Sequence, residues 1–434
     1  MNGRDPSALR NGPQDDNVGN FDATLRRVAR SLNVERACVY TVALLGRAFS
    51  QCQRANSSPK VPDRRAIRPY MASRLPAGRG WRKASSDMRA AVFYGPRDVR
   101  IEDVPKPTAG TGEVVLRVHR CSVCGTDKRI YTHGQKNVVP PAITGHEIVG
   151  TVREIGPGVD RGLSIGQRAV VATVVGCGKF IYCRRKQYNL CDSFTAVGYD
   201  YAGGFAEYVK IPAAAVAQGN VIPIPSTMSL ERAALIEPLS CVLNGQEYLS
   251  PQPGDRAVVF GAGPIGLMHS SILTARGCAP VLVSDVSQER LDYVSEFGVG
   301  QPVNTSGGNA LDKIMAAGGG EKFDVAIVAC SVKAAQADAL KLVRKKARVS
   351  FFAGVPKENP VLDLDANLIH YNEISVFGCF ASNLQHYHQA LEMVSRDDLP
   401  WDRFLTHRFK LQDMVKAYAV VEAGQGIKAV IDCE

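Results

Sequence analysis

Short apolar runs alternate with helical patterns along the second half of the chain. Each run has the length of a buried β-strand, and the stretches between the runs show the apolar spacing of a helix. The runs lie at 257–260, 281–285, 324–330, 348–353 and 374–380, with helical patterns at 267–276 and 334–345. Alternating strand and helix units build a parallel sheet with helices on both faces. The pattern therefore predicts a doubly wound α/β sheet over about 241–379.

The first 87 residues differ from everything that follows. They are polar and arginine-rich, with scattered turn residues, and they show no sustained helical or strand period. Segments of this composition cannot bury enough apolar surface to fold by themselves. We therefore predict a basic extension over 1–87 that is mostly disordered.

Positive charge is concentrated in this extension. The chain has a formal net charge of +10, but residues 1–87 contain 16 Lys and Arg against 7 Asp and Glu, which leaves +1 for the remainder. A nucleic-acid partner is therefore not favoured for the protein as a whole. The extension is compatible with an untargeted tail or a true start at Met71 or Met88, with an organelle-import presequence, or with an arm for an anionic partner. We expect a cytoplasmic protein, with organelle import left open.

Length and composition set the outer limits. A chain of 434 residues is expected to form two or three domains of about 100 to 200 residues each. With 45% hydrophobic and 22% charged residues it is typical of globular proteins. No uncharged apolar run approaches the roughly 18 to 20 residues that span a bilayer, so we expect no membrane-embedded segment.

Cysteine usage points to metal rather than to disulfides. Five of the twelve cysteines fall within 121–191, whereas secreted disulfide scaffolds are short and cysteine-dense throughout. Five others lie in apolar contexts, where a thiol behaves as a small buried hydrophobe. We therefore assume a reducing compartment and expect a metal site in the first half of the chain.

A glycine-rich turn follows the strand predicted at 257–260. The turn has the pattern GxGxxG and leads directly into a predicted helix; its residues are Gly261, Gly263, Pro264, Ile265 and Gly266. The first glycine permits the tight turn, the second lets the backbone approach a pyrophosphate, and the third packs helix on strand. The helix amino terminus then faces the anion. A dinucleotide site is predicted here, and a purely structural turn is the less favoured alternative.

The next predicted strand ends in a carboxylate. Asp285 lies nineteen residues beyond Gly266, where an acid accepts hydrogen bonds from the adenosine ribose and repels a 2′-phosphate. NAD is therefore favoured over NADP as the cofactor.

Three further motifs together indicate a family. Cys-Gly-Thr-Asp at 124–127, Gly-His-Glu at 145–147 and Glu-Pro-Leu at 237–239 precede the dinucleotide turn, and Gly-Gly-Phe-Ala-Glu-Tyr-Val begins at 203. In this order the motifs resemble the zinc-dependent medium-chain dehydrogenases, and within them the sorbitol/L-iditol dehydrogenase-like branch. The resemblance covers about 88–434. It implies a strand-rich GroES-like catalytic domain at 88–240, a Rossmann coenzyme domain at 241–379 and a return to the catalytic domain at 380–434.

The resemblance also implies roles for individual residues. Cys124 and His146 would be catalytic zinc ligands, and Glu147 and Glu237 would supply a ligand or hold the metal-bound water. A catalytic zinc takes about three such ligands and keeps one position open. Asp127 is a candidate acceptor for the ligand imidazole, with a local helix cap as an equal alternative. The remaining implied residues are Thr126 in a proton relay and Arg290, beside Asp285, at the cofactor.

A second cysteine cluster departs from the family pattern. Members with a structural zinc carry four cysteines spaced C-x2-C-x2-C-x7-C, whereas this chain has Cys177, Phe180, Cys183 and Cys191 at those positions. Three cysteines cannot complete a closed tetrahedral site. We therefore expect one catalytic zinc per chain and a structural zinc that is absent or weakly held.

Zinc would bind the hydroxyl of the substrate, lower its pKa and orient its carbon for hydride transfer to NAD. The expected substrate is a secondary alcohol or polyol. However, Ile130 replaces a tyrosine of the sorbitol-oxidising relatives, and Ala381-Ser382 replaces their Arg-Tyr pair. A phosphorylated or carboxylated alcohol therefore remains an alternative, for which basic residues near the entrance would be suited; these are Lys128, Arg129 and Lys136. A solvated basic loop is the favoured interpretation of these three residues.

Other activities of the fold are less favoured. A zinc-free medium-chain reductase should lack the ligand motifs, and a non-enzymatic protein should show damage to the ligand set or to the dinucleotide turn. Relatives assemble as dimers or tetramers, so the resemblance implies a homo-oligomer.

Overall fold

The computed structural model describes residues 87–434, and the predicted extension lies outside them except for Asp87. The first described strands form an antiparallel sheet of order β2-β1-β4. Their bounds are β1, Asp87–Gly95; β2, Asp98–Pro105; and β4, Ala142–Ile143. Inward-facing residues of β1 are buried, because alternate positions of a strand point to the same face.

A seven-stranded sheet carries most of the first half of the described chain. Its order is β10-β6-β5-β3-β18-β17, with β9 also paired to β3. The strand bounds are β3, Val114–Val123; β5, Glu147–Ile155; β6, Arg168–Val171; β9, Tyr208–Ile211; β10, Val221–Pro223; β17, Leu405–Lys410; and β18, Lys428–Asp432. A small hairpin-like pair, β7 (Val174–Val175) and β8 (Thr195–Ala196), lies outside this sheet.

Short helices connect these strands. They are α1, Gly125–His133; α2, Ile181–Arg184; α3, Ala213–Gln218; and α4, Leu230–Ala233. Helix α5, Ile236–Glu247, follows and is buried along most of its length. Strand β3 ends one residue before Cys124, and β5 begins at Glu147, so two of the predicted ligand motifs lie at the same end of two adjacent strands.

The coenzyme part is a six-stranded parallel sheet of order β13-β12-β11-β14-β15-β16. Its strands are β11, Ala257–Phe260; β12, Val281–Asp285; β13, Gln301–Asn304; β14, Phe323–Val328; β15, Val343–Phe351; and β16, Ser375–Gly378. Five helices alternate with them: α6, Pro264–Ala275; α7, Gln288–Phe297; α8, Ala310–Ala317; α9, Lys333–Leu342; and α10, Ala366–Tyr371. The predicted doubly wound α/β sheet is confirmed.

One predicted element was too long. The helical pattern at 334–345 was extended over Val343, Arg344 and Lys345, but α9 ends at Leu342 and β15 starts at the next residue. Val343 pairs with Phe323 of β14, and Lys346 adopts a left-handed φ of +61°. Pairing to a buried neighbouring strand therefore overrides a sequence that is compatible with one more helical turn.

The chain then returns towards the first sheet. Helix α11, Leu384–Val394, lies against α5, and its buried residues join the apolar core that the coenzyme strands also line. Helix α12, Met414–Ala423, separates β17 from β18, which pairs with β3. The domain limits at 240 and 379 stay a prediction. No helix in residues 87–434 is long and apolar enough to cross a membrane.

Candidate active site

Cys124 is fixed at the amino terminus of α1. Its backbone is extended, with φ −111°, and its sulfur accepts a hydrogen bond from the Thr126 N–H at 3.2 Å. In the other direction, the Asp127 carboxylate accepts a hydrogen bond from the Cys124 N–H at 3.0 Å. This reciprocal capping arrangement satisfies two backbone donors of the first turn. The capping alternative for Asp127 is thus realised, and it sets the position of the thiol.

His146 lies between this cap and the start of β5. Its Nε2 is 3.3 Å from Cys124 Sγ, while its Nδ1 is 3.3 Å from Asp127 Oδ1 and 3.4 Å from the Tyr199 hydroxyl. The imidazole Nδ1 therefore faces two oxygen groups, and Nε2 faces the thiol of Cys124. Asp127 both caps α1 and orients His146, so the two alternatives for this residue coexist.

Glu147 is paired with a lysine that the sequence motifs did not identify. Lys428 Nζ donates to Glu147 Oε1 at 2.8 Å and lies 2.7 Å from Oε2. The two side chains are only 3% and 1% exposed. Burial works to lower the pKa of Lys428, but Glu147 and other anionic groups around it raise the pKa on balance. A buried ion pair thus borders the cluster.

Glu237 reaches the same place from the first turn of α5. One of its carboxylate oxygens lies close to ligand atoms of His146 and Glu147, all within 4.8 Å of one another. Cys241, one turn further along α5, places its thiol 3.7 Å from Glu237 Oε1. Burial, and repulsion from Glu147, raise the pKa of Glu237 to about 7, although His146 opposes this.

The donor set fits a divalent cation of borderline softness. Ligand atoms of Cys124, Asp127 and His146 also lie within 4.8 Å of one another, so two groups that share His146 together contain thiol, imidazole and carboxylate donors. Burial raises the pKa of the Cys124 thiol, and a bound cation would oppose this by stabilising the thiolate. A zinc ion accepts this mixture of ligands.

The structure brings four of the five predicted catalytic residues into two groups that share His146: Cys124 with His146, and His146 with Glu147 and Glu237. Thr126 is placed beside them through its backbone contact to Cys124, with a partly exposed side chain.

Sequence reasoning missed Lys428 and Tyr199. A lone lysine opening the apolar strand Lys428–Asp432 was the available signal for the first, because an amine at a buried strand position needs an anionic partner.

The dinucleotide turn depends on two glycines in particular. Gly261 has a φ of +103°, which L-residues rarely adopt, and accepts no side chain without strain. A Cβ at Gly266 would lie 1.7 Å from the Gly261 carbonyl oxygen, so only glycine fits. Pro264 occupies the first position of α6, where its missing N–H costs nothing. Ile265 packs against the apolar core below the turn.

Two further predicted cofactor residues flank this turn. Asp285 ends β12 and accepts the Ala262 N–H at 2.8 Å through one oxygen and the Ser287 N–H at 2.9 Å through the other. Arg290, in the first turn of α7, has its guanidinium 3.9 Å from the place that a Cβ at Gly263 would occupy. The Asp285 carboxylate is thus hydrogen-bonded to the glycine-rich turn, and the Arg290 guanidinium lies beside Gly263.

Comparison with known proteins decides the family. Residues 110–226 match the alcohol dehydrogenase GroES-like domain, and residues 264–396 match the zinc-binding dehydrogenase family. The L-threonine 3-dehydrogenase of Pyrococcus abyssi is 32% identical over 348 residues, which cover 79% of this chain and 97% of that protein. The chain belongs to the zinc-dependent medium-chain dehydrogenases. The predicted family is confirmed.

Other relatives of this dehydrogenase act on different alcohols. The sorbitol dehydrogenase of Bombyx mori is 31% identical over 350 residues, covering 79% of this chain and 97% of that protein. Among solved structures, an alcohol dehydrogenase from Escherichia coli in complex with NADH superposes with a TM-score of 0.73 at 27% identity, over 80% of this chain and 100% of that one. The predicted GroES-like and Rossmann fold class is confirmed as well.

Near Glu237, two buried serines link α5 to the segment that follows β16. Ser240 of α5 and Ser382 approach to 2.7 Å between their hydroxyl oxygens, and both are buried. Ala381 has a left-handed φ of +48°, and its carbonyl accepts a hydrogen bond from Asn244 at 2.7 Å. The residues that replace the Arg-Tyr pair of sorbitol-oxidising relatives are therefore held firmly by α5.

Proposed function

We propose that this dehydrogenase oxidises the secondary hydroxyl of a small alcohol to a ketone, with NAD as hydride acceptor. The observation that carries the proposal is the meeting of candidate ligands from three elements around His146, with Cys124 Sγ 3.3 Å from its Nε2 and with oxygens of Glu147 and Glu237 within 4.8 Å of an imidazole nitrogen. Mixed thiolate, imidazole and carboxylate donors are the ligands of catalytic zinc, which keeps a position open for substrate.

Three of these residues are assigned to the metal: Cys124, His146 and Glu237. Glu147 is assigned a different role, because both of its oxygens lie within 2.8 Å of Lys428 Nζ. When bound, zinc would lower the pKa of the substrate hydroxyl and orient its carbon. Asp127 holds the His146 imidazole from behind, and such partners fix the tautomer of a ligand histidine.

Proton release is assigned to Thr126. Thr126 lies two positions after Cys124, and its backbone N–H donates to the Cys124 sulfur. The residue is partly exposed, so its hydroxyl can pass a proton outward. Arg129, further along α1, is exposed and donates to Gln135 at 2.8 Å. A guanidinium stays protonated and is a poor carrier. The outer part of the relay is therefore assigned to cofactor ribose and water.

NAD rather than NADP is proposed on the charge of Asp285. A carboxylate at this strand end accepts hydrogen bonds from ribose hydroxyls and repels a 2′-phosphate. Asp285→Asn removes the charge and can keep the hydrogen bond from Ala262, while it gives up the one from Ser287. We expect the KM for NAD to rise about 10- to 100-fold, the equivalent of one charge-assisted hydrogen bond, and discrimination against NADP to weaken. An unchanged NAD/NADP ratio would contradict the assignment.

For the substrate we propose two candidates. A polyol is supported by the resemblance to sorbitol dehydrogenases, whereas a carboxylate-bearing alcohol is supported by the Ala381-Ser382 sequence, which lacks the polyol partners of those relatives. The relatives named as L-threonine 3-dehydrogenases favour the second candidate, since threonine carries a secondary hydroxyl beside a charged group.

The test is a substrate panel followed as NADH formation. It contains sorbitol, 2,3-butanediol and L-threonine, each measured before and after zinc chelation and again after zinc is restored. A higher kcat/KM for L-threonine than for sorbitol selects the carboxylate-bearing class, and the reverse selects polyols. Activity that is insensitive to zinc removal would contradict the proposed function.

We also propose a homo-oligomer in a reducing, cytoplasmic environment. The reducing compartment is proposed from the cysteine spacing, since five of the twelve cysteines fall within 121–191 and suggest metal ligands more than disulfides. Sedimentation of the purified protein measures the oligomeric state, and a mature amino-terminal peptide identified by mass spectrometry tests import.

A further inference from the structure

Three thiols converge a second time, in the loop between β7 and β8. Cys177 Sγ and Cys183 Sγ are 4.0 Å apart, and the sulfur atoms of Cys177, Cys183 and Cys191 all lie within 4.8 Å of one another. We call residues 177–191 the cysteine lobe. Three sulfurs bound to one ion at about 2.3 Å each are spaced by about 4 Å. The lobe therefore already has the spacing of a three-thiolate site.

The cysteine lobe is held in this shape by its own contacts. The side chain of Gln218 accepts the Gly176 N–H at 3.0 Å and donates to the Gly176 carbonyl at 2.6 Å, which anchors the start of the lobe. A Cβ at Gly176 would lie 2.5 Å from the Tyr188 ring and 3.2 Å from Cys183 Sγ, so only glycine allows this approach. Preorganisation of this kind lowers the cost of binding a ligand.

The cysteine lobe combines a backbone donor to sulfur with a positively charged sequence. The Cys177 N–H donates to Cys191 Sγ at 3.4 Å. Within 177–191 there are four basic residues and no acidic one; the basic residues are Lys179, Arg184, Arg185 and Lys186. Cys183 and Cys191 are buried, at 4% and 2% exposure, while Cys177 is partly exposed. An anionic metal–thiolate centre would thus lie in a segment of net positive charge, with Cys177 as its partly exposed ligand.

The ligand set stops at three. Among residues 87–434, no aspartate, glutamate or histidine joins the three cysteines as a further candidate ligand, and Phe180 stands midway between the first two. Thiolates bind both zinc and monovalent copper, but structural zinc requires a closed set of four ligands, whereas copper(I) is satisfied by two or three thiolates. The number of ligands therefore favours copper(I).

We propose that the cysteine lobe binds one soft, thiophilic ion of the copper(I) class through the thiolates of Cys177, Cys183 and Cys191. Binding displaces the protons of those thiols that are not already ionised, and the ion keeps its oxidation state. No residue of the catalytic cluster is a ligand of this site.

The test titrates copper(I), without oxygen and under reducing conditions, into the zinc-loaded protein. The readouts are sulfur-to-copper charge-transfer absorbance and competition with a copper(I) chelator. We expect one copper per chain in the wild type. Cys183→Ser and Cys177→Ser should each weaken binding at least about a hundredfold, since loss of a ligand exceeds the 10- to 100-fold effect of an outer-shell change. Cys278→Ser, which removes a buried thiol elsewhere, should bind copper as the wild type does.

A second variant keeps the proposal testable if the serine variants fold poorly. Phe180→Cys supplies a fourth thiolate at the intermediate position, and it should retain two zinc ions per chain after dialysis, where the wild type retains one. Two tightly held zinc ions in the wild type would overturn the proposal. Copper binding that survives in Cys183→Ser would overturn it as well. So would a disulfide between lobe cysteines that persists under the reducing conditions of the titration.

Discussion

Two clusters of candidate metal ligands lie within the described chain, and they are built in opposite ways. The proposed catalytic cluster joins sulfur, nitrogen and oxygen donors from three separate elements and buries a lysine beside them. The cysteine lobe takes three sulfurs from fifteen consecutive residues, which also include four exposed cations. The first is therefore assembled by tertiary structure, and the second by a single loop.

This difference bears on what each site can do. Mixed donors with carboxylates leave a divalent ion electrophilic and exchangeable at one position, which suits an alcohol substrate. An all-sulfur set satisfies a soft ion fully and offers no acid or base beside it. Catalysis is thus expected at the first cluster only, and four comparisons between variants can break or sharpen that distinction.

The largest effect is expected from the ligand histidine. His146→Gln removes the nitrogen that faces Cys124 Sγ at 3.3 Å. Loss of metal-assisted stabilisation worth several kcal/mol corresponds to about a thousandfold lower kcat/KM. Cys183→Ser in the cysteine lobe should change kcat/KM by less than about threefold, within the range of ordinary distant substitutions. Steady-state kinetics and zinc content are measured together.

The comparison would fail if both variants lost activity to the same extent. Zinc content provides the control: His146→Gln should lose the ion and Cys183→Ser should keep it. Equal losses with zinc retained in both would indicate that the cysteine lobe supports the active site as strongly as its own ligands do.

The buried lysine gives the next largest effect. Lys428→Met leaves Glu147 buried without its partner, and breaking such a pair from one side costs about 3 to 5 kcal/mol. The double variant Lys428→Met with Glu147→Gln should recover much of this loss, because no uncompensated charge remains. Urea unfolding of the metal-depleted protein measures the free energies.

A matched substitution in the cysteine lobe is Arg184→Gln. Its side chain is exposed, so its removal should change the free energy of unfolding by no more than about 0.5 kcal/mol. A loss at Lys428 as small as the loss at Arg184 would mean that the Glu147 carboxylate is compensated in some other way.

The pairing of Lys428 with Glu147 could not be predicted from the sequence. The dinucleotide turn was predictable because its chemistry depends on consecutive residues, from the strand before Gly261 to the helix after Gly266. The ligand candidates were predictable because each belongs to a short motif. Lys428 lies 281 positions from Glu147, and only the pairing of β18 with β3 brings the two close.

The end of α9 shows a second kind of limit. The sequence from Val343 to Lys345 is compatible with either a helix or a strand, and hydrogen bonding to β14 decides for the strand. Tyr199 was missed for a similar reason, since it reaches His146 from a turn after β8 whose path no local pattern indicates. In each instance the deciding partner is remote in sequence.

An intermediate effect is expected from the residue that orients His146. Asp127→Asn can still accept the Cys124 N–H, so the cap of α1 is preserved while the charge beside His146 Nδ1 is lost. Zinc affinity or kcat/KM should fall about 10- to 100-fold, the usual effect of such partners. Competition with a zinc chelator measures the affinity.

Gln218→Ala is the counterpart in the cysteine lobe. It removes both hydrogen bonds to Gly176 and should lower stability by about 1 to 2 kcal/mol without changing zinc affinity at the active site. If Asp127→Asn behaved in the same way, with stability reduced and zinc affinity kept, Asp127 would be a helix cap and nothing more.

The smallest effect tests whether the two regions communicate. Asn189 of the cysteine lobe donates to the Phe380 carbonyl at 2.8 Å, and Phe380 precedes the Ala381-Ser382 segment that α5 holds near Glu237. Asn189→Ala removes one hydrogen bond of about 1 kcal/mol, so the KM for the alcohol should rise about fivefold while kcat stays unchanged.

Phe194→Leu is the control: it perturbs the neighbouring ring contact with Phe380 and leaves that hydrogen bond intact, so it should have a weaker effect. A KM identical to that of the wild type in Asn189→Ala would show that the cysteine lobe and the catalytic cluster act independently, because this hydrogen bond is a direct polar contact between the lobe and the segment beside the active site.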